Sequence, residues 1–81
     1  MGTFWVSYDL VKEKDYERLF ARLRQLGAKK VLLSMWALKG DYTCTNLRDD
    51  LRQYIDSDDR LVVIESKDWA TRNALTKVSE M

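Results

Sequence analysis

Eighty-one residues with a formal net charge of +1 make one small domain, which buries only about 60–65% of its unfolded surface. The chain has no histidine, no proline and one cysteine, Cys44, so a Ser–His–Asp triad, a Cys–His pair, a histidine metal site and an intramolecular disulfide are all excluded. Its three glycines stand apart, which excludes a phosphate-cradling glycine loop and leaves carboxylate, hydroxyl, lysine and arginine for chemistry. Hydrophobic residues at 46% and charged ones at 33% describe a folded chain. No run approaches the ~18 apolar residues of a membrane span, and the N-terminus lacks a basic-then-apolar leader pattern. The expectation is a cytoplasmic protein with no membrane partner.

Thr3-Phe4-Trp5-Val6-Ser7-Tyr8-Asp9 is aromatic and β-branched, and reads as a strand. A period of two puts Phe4, Val6 and Tyr8 on one face and Trp5, Ser7 and Asp9 on the other. Lys12, Glu13 and Lys14 form a polar connection, and Asp15 can cap a helix. Tyr16, Leu19, Phe20, Leu23 and Leu26 recur at helical spacing, and Gly27 supplies a left-handed stop. Lys14, Arg18 and Arg22 then make a basic stripe off the apolar face.

Residues 28–39 are mostly apolar and long for one strand, so they are expected to form two strands joined tightly near Leu33 and Ser34, or else one bent strand. Thr43 can cap a second helix carrying Leu47, Leu51, Tyr54 and Ile55 on its apolar side. Leu61-Val62-Val63-Ile64 is a continuous apolar run, which suggests a central strand buried on both sides. Beyond Ser66 only Trp69 and Ala70 look anchored. Residues 71–81 lack a period and are expected to be a short edge strand or a frayed tail.

The order βαββαβ is the α+β, ferredoxin-like arrangement, with two helices on one face of an antiparallel sheet, over residues 1–70 as a single domain. Trp5 would lie on the other face, beside an apolar half of the 28–39 segment. The expectation is therefore a homodimer packed sheet to sheet, with Trp5, Ser7 and Trp36 in the interface and Asp9 near the two-fold axis. Charge is unevenly spread: Lys12 to Lys39 carries eight basic and three acidic residues, and Asp41 to Asp59 two basic and six acidic. A basic face could hold phosphates despite overall neutrality.

Val6-Ser7-Tyr8-Asp9-Leu10 and Ser34-Met35-Trp36 resemble two motifs of one family. These are the "apolar, any, Tyr, Asp, apolar" strand ending and the "Ser, any, aromatic" segment of the small CRISPR-associated dimeric nuclease-like proteins, the lesser of the two spacer-integration components. The element order is similar over residues 3–65. The resemblance implies a ferredoxin-like homodimer, endonuclease activity on RNA or DNA in some members, magnesium as cofactor, and an integrase-type protein partner. It maps the metal-binding, catalytic aspartate onto Asp9. Virulence-associated toxin-type ribonucleases share the fold and the early aspartate and are a second resemblance. One departure stands out: where members often carry a glutamate after the second motif's aromatic, this chain has Ala37.

Asp9 suits magnesium, a hard cation that commonly takes one or two carboxylates plus water and phosphate. Its plainer role is to accept backbone N–H groups in the turn after its strand. Arg18, Arg22, Lys29 and Lys30 are the candidates for nucleic-acid phosphates, with a solvated helix face as the alternative. Trp5 and Trp36 could stack nucleobases, with packing in the dimer interface as the plainer account. Cys44 reads as a small packing residue. Two functions follow: a homodimeric, magnesium-dependent endonuclease acting through Asp9, or a non-catalytic dimeric scaffold or adaptor that binds nucleic acid or a protein.

Overall fold

Alternation along strand β1 (Gly2–Asp9) divides the molecule into two layers. The computed structural model describes residues 2–10 and 16–81; the polar connection at Lys12, Glu13 and Lys14 and the cap at Asp15 lie outside the described residues. Phe4, Val6 and Tyr8 point to one side, where they pack with Leu19, Leu23, Leu47 and Leu51. Trp5 joins Val31, Ala37 and Val78 on the other.

The first helix, α1 (Glu17–Gln25), buries Leu19 and Leu23. Each fully buried leucine stabilises the fold by about 1.5–3 kcal/mol relative to exposure. Gly27 adopts a φ of 83°. The Gly27 N–H donates to the Arg24 carbonyl at 3.0 Å and the Ala28 N–H to the Leu23 carbonyl at 2.9 Å. This pair of bonds is the Schellman termination, and it satisfies carbonyls that the helix end would otherwise leave open.

Strands β2 (Lys29–Leu32) and β3 (Met35–Gly40) form the expected hairpin. Leu32 faces Met35 in the ladder, so Leu33 and Ser34 are its two loop residues. Neither has a positive φ, so the primed turns that match strand twist are not used, and a register shift between Lys30 and Leu32 accompanies the irregular turn. The second helix, α2 (Cys44–Leu51), starts where the Asn46 N–H donates to Thr43 Oγ1 at 3.1 Å. It buries Leu47 and Leu51 and tightens into a 3₁₀ turn at Arg52–Tyr54. Strand β4 (Arg60–Glu65) completes one antiparallel sheet of order β2-β3-β1-β4, the ferredoxin-like fold.

Four expectations are corrected. β4 is an edge strand, not a central one, and its outward residues Val62 and Ile64 are 54% and 49% exposed. A continuous apolar run reports two apolar faces without saying that one chain covers both. Trp36 lies opposite Val6 in the ladder and is buried on the helix side with Phe4 and Tyr8, so it is core rather than interface. Residues 71–81 carry no strand. Instead, residues 66–81 run as a strap over the second face.

The strap begins where the Ser66 N–H donates to the Thr3 carbonyl at 3.0 Å. Trp69 meets Trp5 edge to face at 5.6 Å. The Leu75 N–H donates to the Val31 carbonyl at 2.9 Å, and Thr76 Oγ1 donates to the Lys30 carbonyl at 2.9 Å. Val78, in the closing 3₁₀ turn Val78–Glu80, is fully buried. Trp5 is consequently 8% exposed within its own chain. It needs no second copy to cover it, which corrects the expectation built on its size.

Candidate metal and nucleic-acid site

Asp9 ends β1 and faces Arg60, the first residue of β4, across the antiparallel ladder. Arg60 Nη1 donates to Asp9 Oδ2 at 2.9 Å, and both side chains are about 70% exposed. The two residues line a shallow cleft of about 210 Å³ with Ser7, Leu61 and Val62. Ser7 and Asp9 share the face that the sequence alternation gave them, and Val62, opposite Ser7, shares it too.

Tyr8 turns the other way. Its hydroxyl donates to the Leu33 carbonyl at 3.1 Å and accepts from Trp36 Nε1 at 3.1 Å. Burial pushes the phenol above its ordinary pKa, and the Trp36 hydrogen bond offsets part of that. Tyr8 and Trp36 are therefore tied into the helix-side core, where Phe20 packs against both rings.

The four basic candidates do not converge on one contact. Arg22 grips Asp50 through two bonds, Nε to Oδ1 at 2.8 Å and Nη2 to Oδ2 at 2.6 Å. That fork neutralises Arg22 and clamps α1 to α2. The same bonds pull the Asp50 carboxyl below its usual range, against a smaller opposing effect of burial. Arg18 donates to the Gln53 carbonyl at 3.3 Å and sits over the Tyr54 ring at 6.0 Å. Lys30 Nζ lies 4.9 Å from the centre of the Phe20 ring and 5.9 Å from that of Trp36. Lys29 is exposed on the outer strand.

Arg60 was not singled out from the sequence. It is found only once the β1–β4 register is known, although an acid closing one strand and a base opening the next apolar run was a usable signal.

No group of three or more His, Cys, Asp or Glu that could hold a metal occurs among the described residues. Asp9 fits magnesium in a more limited way. It is an exposed oxygen donor at a strand end, and the ion pair engages one of its two oxygens.

The family model for "CRISPR associated protein Cas2" matches residues 1–73. The chain belongs to the Cas2 family. The match takes in the whole sheet, both helices and Asp9, and it stops within the strap, before Ala74, Leu75 and Val78. Membership gives this Cas2 chain a CRISPR-associated, nuclease-like character. No helix among the described residues is long and apolar enough to cross a membrane.

Proposed function

We propose that this Cas2-family chain acts as a homodimeric, magnesium-dependent endonuclease on RNA or DNA phosphodiesters, with Asp9 of each protomer holding the ion. The observation that carries this reading is Asp9 itself: an exposed carboxylate at the end of β1, beside a strip of uncovered apolar sheet at Val62 and Ile64. Burying that strip against a second copy would seat the cleft near the shared axis and pair the two aspartates. Bound magnesium supplies charge neutralisation at the scissile phosphate and lowers the pKa of its water. The chain's own contribution is positional. Asp9 gives an oxygen at a fixed strand end, Ser7 offers a hydroxyl beside it, and Arg60 provides a guanidinium able to move from Asp9 to a phosphate oxygen. An exposed ion pair is weak enough to exchange in this way. Arg18, Lys29 and Lys30 would meet the nucleic-acid backbone at a distance; Arg22, held by Asp50, is the least available of the four.

The test is cleavage of RNA and DNA under magnesium titration by wild type and Asp9→Ala. Loss of at least about a hundredfold in the variant is expected, the scale for removing a group at the reacting centre. Equal cleavage by both proteins, or none by wild type with magnesium or manganese, overturns the reading.

A second reading is a non-catalytic dimeric scaffold or adaptor for nucleic acid or an integrase-type protein. Arg60 bonded to Asp9, and Ala37 where relatives often carry a glutamate, favour it. Salt-sensitive nucleic-acid binding without cleavage, unchanged in Asp9→Ala, would select it.

A further inference from the structure

Between the strap and the sheet lies a cavity of about 390 Å³, within the size range of small-molecule sites. Burial gives its depth. Trp5 and Val31, both buried, make the floor. Met35 and Trp69, half-buried, make the walls. Trp5 and Trp69 touch edge to face at 5.6 Å, so they present one continuous apolar surface, and the open space lies beside the pair rather than between its rings. Thr71 and Arg72, both exposed, stand at the rim. Apart from the two indole nitrogens, all the side-chain nitrogen and oxygen in the lining belongs to these two consecutive residues. Both are donors, Arg72 is the one charged residue in the lining, and no acidic residue is part of it. Neither side chain forms an ion pair or hydrogen bond among the described residues.

We propose that this cavity binds a medium-chain alkyl carboxylate, with the chain laid along Val31, Met35 and the tryptophan pair and the carboxylate held at the rim by Arg72. An apolar trough with a single cationic end is the complement of an amphiphilic anion. The guanidinium can take both carboxylate oxygens through two parallel bonds, and Thr71 offers a hydroxyl beside it. Water on the apolar floor has few partners, so an alkyl chain displaces it at a gain. The sheet supplies the floor, and the strap supplies one wall and the cationic end. The site is therefore complete only while the strap is docked, and a bound ligand holds the strap down. The inference goes beyond the phosphodiester reading, because it requires neither Asp9, nor magnesium, nor a second chain.

The test titrates the protein with hexanoate, octanoate, decanoate, octanamide and octylammonium, below their micelle concentrations, and follows the Met35 methyl and the indole N–H resonances. Saturable shifts at Met35 and Trp69 are expected, with none at Trp36, which lies in the helix-side layer. Affinity should rise with chain length by up to about fourfold per methylene, the factor for one buried methylene. Octanoate should bind about tenfold or more tighter than octanamide, the scale of one charge-assisted bond, and octylammonium more weakly still. Arg72→Gln should bring octanoate down to the octanamide level and leave octanamide unchanged. Ala74→Leu, which narrows the cavity, should weaken both, and Asp9→Ala should weaken neither. The Leu75 amide, bonded to the Val31 carbonyl, should exchange its hydrogen about tenfold more slowly with octanoate at ten times its dissociation constant. Equal binding of the three eight-carbon probes, affinity indifferent to chain length, or shifts centred on Trp36 overturns the proposal. Arg72 is exposed, so its variant remains decisive even if Ala74→Leu does not fold.

Discussion

The Trp36 indole donates to the Tyr8 hydroxyl, and that hydroxyl donates onward to the Leu33 carbonyl, each at 3.1 Å. The relay links β3 and β1 to the hairpin turn, and the Tyr8 N–H donates to the Ser34 carbonyl at 3.2 Å as well. A hairpin that lacks the usual glycine or asparagine turn residues is thus held from outside, by the neighbouring strand. Tyr8→Phe removes the middle of the relay and leaves a buried indole N–H without a partner. It should destabilise the protein by about 1–3 kcal/mol, measured by urea unfolding.

Arg22 and Asp50 predict a pH dependence. Asp50 is held below its unfolded pKa, chiefly by hydrogen bonds from Arg22. The folded state therefore prefers the ionised carboxylate. The stabilisation is complete above the unfolded value, about 3.9, and is lost as pH falls through the lower folded value. Wild type should lose thermal stability on acidification below about pH 4. Asp50→Asn should lower the melting temperature at neutral pH and flatten that acid limb. An unchanged limb in the variant would show that other carboxylates set it.

Val62 and Ile64 predict where a second copy would sit. Replacing both with glutamate removes two apolar side chains worth roughly 1.5 kcal/mol or more each. The dimer dissociation constant should rise by about a hundredfold or more, read by sedimentation or light scattering. Folding should survive, because both side chains are half exposed in the single chain. A variant that dimerises as wild type does would move the interface elsewhere.

Val78 predicts the strength of the strap. It is fully buried against Trp5, Val31 and Ala37. Val78→Ala should cost about 2 kcal/mol, from lost transfer energy plus residual cavity. The Leu75 amide, bonded to the Val31 carbonyl, should then exchange its hydrogen faster than the amides of β1, because the strap loosens before the sheet does.

The parts of this fold legible in the sequence are those set by local spacing. Gly27 ends α1, Thr43 begins α2, and the β1 alternation separates Tyr8 from Asp9. The hairpin was legible from length alone. What escaped depends on long-range register. Trp36 points to the helices because Val6 is its ladder partner, which no count within 28–39 reveals. Arg60 meets Asp9 for the same kind of reason. The strap has no period because it is neither helix nor strand over most of its length, and its anchors, Trp69 and Val78, are nine residues apart.

The two margins of the sheet are treated differently. Along β2 the strap occupies the carbonyls of Lys30 and Val31, whereas β4 carries backbone ladder bonds on its β1 side alone among the described residues. Exposed strand margins template further pairing, and two of them on one molecule would allow growth without end. With one margin stoppered, sheet extension can join this chain to one neighbour and then stops. Were two copies to join through the β4 margin, the strap on each would leave no second margin for a third, and the product would be a pair rather than a fibre.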